Sequence, residues 1–360
     1  MGGDLAHDGI ARRLNGMDIS SPFVFATCRA GSEAVMKEDV ASRLGKLLRP
    51  AFMRPQFITW KCDEPLGGSF NLDSIYARVS GMSLGMVKTL DEVLPKLARF
   101  VEITFHLHVF PRETPEDGVS LETWESVDQV TAQLSSLIET QGLKMHPLKM
   151  RPKNGDWIVD VMLGEKDEQI MLGAHQHSSG RHPMAGALPR LYLPEEAPSR
   201  AWLKLEQALA FAGWNEESLI GSVAVELGCA PGGASLSLLQ HGVKVIGVDT
   251  APMDPSVLEN RSFKHLRMSA GAVSESFLPD QVDLLVSDMN LAPPVALHYL
   301  DRIQKRVRAS RMIITLKMND GEMEARIYDS LKQLRRFAPH PMRVTQLPAN
   351  RREICVIAGS

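Results

Sequence analysis

From about residue 199 onward, short apolar runs alternate with longer segments of helical period. No other feature of the chain constrains its fold as tightly. The strand-like runs are Val223–Leu227, Lys244–Val248, Val282–Val286 and Met312–Leu316. Between and after them, Ala234–His241, a stretch near Pro294–Val307, and Glu322–Phe337 read as helices. Such alternation predicts an open, mostly parallel α/β sheet with helices on both faces. The chain closes with Arg343–Leu347 and Glu353–Ile357, which read as an antiparallel hairpin at the sheet's edge.

The first half follows a different plan. Residues 1–20 show no periodicity and are expected to be a flexible leader. Phe23–Cys28 and Gln56–Cys62 read as strands around a helix capped by Ser32 and running to about Leu48, and Asp73–Arg78 suggests a short helix. These form one small α/β unit over 21–90. A second unit, 91–190, opens with a helical stretch from Leu90 to Phe100. It continues with an alternating strand, Val101–Phe110, then an amphipathic helix, Thr123–Gly142, and a strand pair at Trp157–Met162 and Gln169–Gly173. His106 and His108 share the polar face of the alternating strand and are expected to face solvent rather than hold a metal. His175, His177 and His182 have no cysteine or carboxylate interleaved at a familiar ligand spacing, so a polar connecting loop is expected there. Pro194 and Pro198, with the acidic residues between them, mark a linker into the last domain, 191–360.

The 360 residues are 44% hydrophobic and 23% charged, which suits a soluble globular chain of two or three domains. No apolar run approaches the roughly 20 residues that a bilayer span needs, and the first 20 residues lack the apolar core of a signal peptide. The four cysteines, Cys28, Cys62, Cys229 and Cys355, lie far apart without a Cys-x-x-Cys pair. That argues against a zinc ribbon and fits a reducing cytoplasm. A net charge of −3 does not advertise nucleic-acid binding, although a local basic face can still supply it.

In Glu226-Leu-Gly-Cys-Ala-Pro-Gly-Gly233 a strand runs through a turn of small residues into a helix. Gly228 permits the turn, and Gly232 and Gly233 are expected to admit a ligand close to the backbone. Asp249 ends the next strand, where a carboxylate can accept both ribose hydroxyls of a nucleoside. Gly-x-Gly-x-x-Gly is absent, and Ala230-Pro231 fills the space a pyrophosphate would need. A nucleoside without phosphates fits better, and S-adenosylmethionine is one. Four further residues sit at segment ends: Lys204 in a helix start, Asp288 and Lys317 after strands, Glu353 opening another. Two lysines and two carboxylates converging there suit removal of a proton from a sugar hydroxyl beside a cationic methyl donor.

Together the motifs resemble the FtsJ-like ribose 2′-O-methyltransferases. They are Ser199-Arg200-Ala201 with Lys204, Leu227–Gly233, Ser287-Asp288-Met289, Leu316-Lys317 and Arg352-Glu353. The junction Pro189–Pro194 with Ala197–Arg200, and the opening Cys28-Arg-Ala-Gly-Ser-Glu33, are similar to the bacterial large-subunit (23S) rRNA methyltransferase M family. The resemblance implies a ferredoxin-like N-terminal domain, a THUMP-like RNA-binding domain and a Rossmann-like class I methyltransferase domain. It implies S-adenosylmethionine as cofactor, a cytidine ribose of large-subunit rRNA as substrate, and no metal or membrane. The expected donor site is Gly228, Cys229, Ala230, Pro231, Gly232, Gly233, Asp249, Ser269 and Asp288. Ser269 stands where the family carries an acidic residue, in Arg267-Met-Ser-Ala-Gly271.

Lys317 is the expected general base, its pKa lowered from about 10.4 by burial and by the charge of Lys204. Asp288 would orient Lys317, and Glu353 would hold Lys204. Arg200 and Arg352, beside these residues, are the expected RNA contacts. A broader basic set, Arg302, Lys305, Arg306, Arg308, Arg311, Lys332, Arg335, Arg336, Arg343 and Arg351, is a candidate phosphate surface. Two other readings are a methyltransferase-fold RNA-binding protein without activity and a nucleotide-dependent oxidoreductase, the latter opposed by the Pro-Gly-Gly turn.

Overall fold

The computed structural model describes residues 19–115, 118–164, 169–318, 321 and 326–360. Most of the expected leader lies outside these residues, as does the start of the expected helix at Glu322; Ser20 already belongs to the first strand. The first sheet comprises β1 (Ser20–Cys28), β2 (Leu48–Arg54), β3 (Phe57–Gly67), β4 (Ala77–Val87), β5 (Phe105–Pro111), β6 (Trp157–Leu163) and β7 (Ile170–Gln176). Its helices are α1 (Glu33–Leu44), α2 (Val93–Leu97) and α3 (Leu121–Thr140). The strand order is β2-β3-β1-β4-β7-β6-β5. Antiparallel pairing of β4 with β7, Met82 opposite Ala174, makes the units expected at 21–90 and 91–190 parts of one sheet.

Three local expectations change. The helix at Asp73–Arg78 is not formed. Asp73 takes a left-handed φ of 50°, and Ile75 and Tyr76 are both buried, as neighbours on a turn can be more readily than neighbours on one helix face. β5 begins at Phe105, not Val101, and is covered on both faces, so His106 is only 3% exposed rather than facing solvent. His175 lies on β7, buried, with its Nδ1 2.7 Å from Asp160 Oδ2. His182 is also buried, stacked flat on Phe211 of the last domain.

The second sheet has β8 (Val223–Leu227), β9 (Lys244–Val248), β10 (Phe263–Leu266), β11 (Leu284–Ser287), β12 (Arg311–Lys317), β13 (Met342–Thr345) and β14 (Glu353–Ala358). Their order is β10-β9-β8-β11-β12-β14-β13. The first five are parallel, and β14 inserts antiparallel between β12 and β13. Helices α4 (Ala201–Ala212), α5 (Gly233–Gln240), α6 (Pro255–Leu258), α7 (Pro293–Val307) and α8 (Ile327–Leu334) belong to this domain. This is the open, mostly parallel sheet the alternation predicts and the Rossmann-like arrangement the resemblance implies, with the expected hairpin at the edge. One hydrophobic cluster joins the two halves: Met36, Leu72 and Tyr76 from the first pack with Leu316, Met318 and Ile327 from the second. Polar contacts seal the seam. Ser32 Oγ donates to Gln346 Oε1 at 2.9 Å, Gln346 donates its backbone N–H to the Ile75 carbonyl, and Tyr328 donates to Asp39 Oδ1 at 2.6 Å.

Candidate active site

The strand order reverses between β8 and β11, and at such a point the loops diverge and open a crevice at the carboxyl ends of the strands. Asp288 follows β11 there. Lys317 is the last residue of β12. Because β14 runs the opposite way, its first residue, Glu353, lies at the same edge and pairs in register with Lys317. Lys204 reaches in from the first turns of α4. The topology thus gathers four residues that are far apart in sequence.

They form a closed ring of alternating charge. Asp288 Oδ1 is 2.7 Å from Lys317 Nζ, and Asp288 Oδ2 is 3.1 Å from Lys204 Nζ. Glu353 bridges the same pair from the other side, with Oε2 2.5 Å from Lys317 and Oε1 2.5 Å from Lys204. Each carboxylate therefore holds both lysines, rather than one apiece as expected.

The electrostatics correct a second expectation. Burial by itself pulls the Lys317 pKa down, but Asp288 and Glu353 outweigh it, and the net shift is upward from the ordinary lysine value. In this ring Lys317 is held protonated more firmly than a free lysine. Glu353 moves oppositely. Burial would raise its pKa, but Lys204 and Lys317 hold the carboxyl below its usual range.

The loop after β8 packs against the backbone at Asp288 and Met289. Gly228 sits at φ 79°, and a Cβ there would stand 2.9 Å from the Met289 backbone, so the tight turn needs glycine. The next two glycines also let the loop pack closely against the rest of the protein. A Cβ on Gly232 would lie 2.8 Å from Val257; one on Gly233 would lie 2.7 Å from the Ser199 carbonyl oxygen and 2.9 Å from the Trp202 nitrogen. The start of α4, which carries Arg200 and Lys204, is thereby pressed onto the loop. Cys229 is buried against Met253. Asp249 accepts the N–H of Ala230 at 3.1 Å and of Ala251 at 2.9 Å. It ties two loops together with one oxygen each, which leaves lone pairs for a further partner. Glu226, beneath the loop, is 1% exposed and accepts from Ser235 Oγ at 2.6 Å; burial pushes its pKa up to about 8. Ser269 follows β10, its Oγ accepting the Ala272 N–H at 3.3 Å.

An open cleft of about 630 Å³ adjoins the ring, lined by Arg29, Arg200, Lys204, Asn290, Lys317, Ala349, Arg351, Arg352 and Glu353. Arg200 and Arg352 are where the sequence placed them. Arg29 and Asn290 were missed. Nothing in the local sequence of Arg29 tells that the β1–α1 turn meets the last domain; only the seam between the halves brings it there. Much of the broader basic set is engaged elsewhere. Arg302 donates to the Gly271 and Ala270 carbonyls, Arg306 pairs with Asp280, and Arg308 donates to the Asp280 carbonyl. Arg311 lies over the Trp214 ring, and Arg343 caps the Phe211 and Ala212 carbonyls at the end of α4. These side chains fasten the domain together.

Residues 197–329 match the family model for FtsJ-like methyltransferases. Three relatives are each named ribosomal RNA large subunit methyltransferase M. The protein from Cellvibrio japonicus is 28% identical over 61% of this chain and 59% of its own length. That from Alkalilimnicola ehrlichii is 40% identical over 34% of each chain. That from Shewanella sp. (strain ANA-3) is 28% identical over 68% of this chain and 70% of its own. The first two matches thus cover less than two thirds of the relatives' lengths.

Proposed function

We infer, from the match of residues 197–329 to the FtsJ-like methyltransferase family model together with the ring of charged residues, that this chain methylates a ribose 2′-hydroxyl in large-subunit ribosomal RNA. S-adenosylmethionine is the proposed donor and a cytidine the proposed target, with the protein working in the cytoplasm. The reading is carried by one observation: the closed Lys204–Asp288–Lys317–Glu353 ring at the carboxyl edge of the parallel strands.

The pocket residues suit that donor. Asp249 can accept ribose hydroxyls, Ser269 is the residue proposed to face the adenine, and the Pro231 turn has no phosphate cradle. When bound, S-adenosylmethionine supplies an electrophilic methyl on a positively charged sulfur. Lys317 takes the hydroxyl proton, which requires that it first lose its own. Asp288 would face the donor's positive charge as well as Lys317, and a carboxylate so shared would hold the lysine proton less tightly. Lys204 pushes in the same direction. Both charges would therefore favour the neutral, basic form of Lys317. Asp288 and Glu353 fix both lysines, and Arg29, Arg200, Arg351 and Arg352 offer charge to RNA phosphates along the cleft.

The test is methyl transfer from isotope-labelled S-adenosylmethionine to large-subunit rRNA from cells lacking this protein, followed by mapping of ribose methylation. Label at one ribose 2′-oxygen is expected. Donor binding without transfer to rRNA or its precursor particles would sink the enzymatic reading and leave an RNA-binding one.

A further inference from the structure

Among the described residues, His106, His146 and Asp156 bring two imidazoles and a carboxylate together, their ligand atoms all within 4.8 Å of one another. None of the three lines the methyltransferase cleft. They come from the first sheet. His106 is on β5, and His146 and Asp156 stand near the two ends of the irregular connection between α3 and β6.

Each is positioned by backbone. His146 donates its N–H to the Phe105 carbonyl at 2.9 Å, next to a parallel bridge between Phe105 and Met145. The Asp156 carbonyl accepts from His177 N–H at 2.8 Å, at the end of β7, while its Oδ2 accepts from Lys153 N–H at 2.8 Å. The carboxylate is thus oriented before anything binds. His106 Nε2 lies 3.1 Å from the same Oδ2. The rings of His106 and His146 stack with centroids 4.2 Å apart and planes 22° from parallel, which sets their nitrogens side by side.

The His106 ring also lies within hydrogen-bond reach of the Met150 backbone. A neutral imidazole has a single N–H and therefore cannot donate to both Asp156 and Met150. Metal-bound histidines resolve that conflict in a regular way: one nitrogen binds the ion, and the other donates to a backbone carbonyl or a carboxylate. Two imidazoles with one carboxylate suit zinc and its neighbours, whereas magnesium and calcium prefer oxygen donors. Ligand atoms around a tetrahedral zinc stand about 3.3 Å apart, so the His106–Asp156 spacing of 3.1 Å already fits, and the His146 nitrogen lies within 4.8 Å of both. The Asp156 side chain is 25% exposed, which leaves room for water as a fourth ligand.

We propose that His106, His146 and Asp156 bind one divalent zinc-type ion that pins the α3–β6 connection to β5. That connection carries the exposed residues Lys144, Lys149, Arg151 and Lys153, so the ion would also fix the spacing of a basic loop.

The experiment uses the tag-free full-length chain, stripped with a chelator and then dialysed against Zn²⁺, with Co²⁺ as a spectroscopic probe. One retained zinc per chain is expected, with a visible cobalt band of a low-coordinate nitrogen and oxygen site. His146→Ala and Asp156→Asn should each weaken zinc binding by at least ~10-fold, the lower end for losing even an outer partner of a metal site. Zinc should raise the melting temperature of the parent chain and not of the variants. Metal-free melting curves report whether the variants fold. Should His146→Ala fail to fold, Asp156→Asn, nearly isosteric and still able to accept from Lys153, carries the test. No retained zinc at micromolar concentration, or unchanged affinity in both variants, would overturn the proposal.

Discussion

Lys317 sits between two carboxylates, and its behaviour follows from that. If it is the general base, Lys317→Ala should lose on the order of 10²–10⁴ in methyl-transfer rate while still folding and binding donor. Lys317→Arg should fail as well, since a guanidinium stays protonated at any working pH. Because the Lys317 pKa is raised in the donor-free protein, kcat/KM measured with donor as the limiting substrate should keep rising on the alkaline side past the ordinary lysine range. Removing the opposing charge with Lys204→Ala should move that limb to still higher pH and slow the reaction. An active Lys317→Arg variant would show that a fixed positive charge suffices and remove the base assignment. The four ring residues were legible in the sequence because each closes or opens a segment of clear type. The direction of the Lys317 shift was not: it depends on both carboxylates reaching both lysines, and only the pairing of β12 with β14 decides that.

At the scale of elements, the join between α4 and the β8–α5 loop matters most. A side chain at Gly233 must displace the Ser199 carbonyl and the Trp202 amide, both backbone. Gly233→Ala should therefore cost about 1–3 kcal/mol of stability, as overpacking commonly does. Activity should fall further than stability suggests, because α4 carries Lys204 and Arg200 out of place. Thermal unfolding and methyl transfer on the same preparation check this, and a variant with normal activity would show that α4 tolerates the shift. The strand–helix alternation of the second half was readable because parallel strands are apolar on both faces and helices keep their own period. The first half was harder. β2, Leu-Arg-Pro-Ala-Phe-Met-Arg, is an exposed edge strand with no clean alternation, and β4 mixes glycines and serines with its apolar residues. Arg302, Arg306 and Arg308 read as a basic face because their partners are mostly carbonyls, which carry no sequence signature.

Across the whole molecule, the cleft beside the charged ring is not the property of one domain. Arg29, from the first half, stands on its rim. Arg29→Glu should raise KM for RNA about tenfold with donor affinity unchanged, and should lower the slope of log affinity against log salt by about one, as for a lost phosphate contact. An unchanged KM would confine RNA recognition at the cleft to the last domain.

The pairing of β4 with β7 also has a consequence in time. A ribosome delivers this chain from its N-terminus, so β1 to β4 emerge well before Ile170–Gln176. Until β7 arrives, β4 presents an unpaired edge bearing Val79, Met82, Leu84 and Val87, which are buried in the finished sheet. Open edges of that kind invite pairing with other chains. A fragment covering residues 19–90 should accordingly associate in light scattering at micromolar concentration, and extension to residue 190 should suppress it. During synthesis, the long interval between these strands is a window in which the nascent chain depends on chaperones or on dilution.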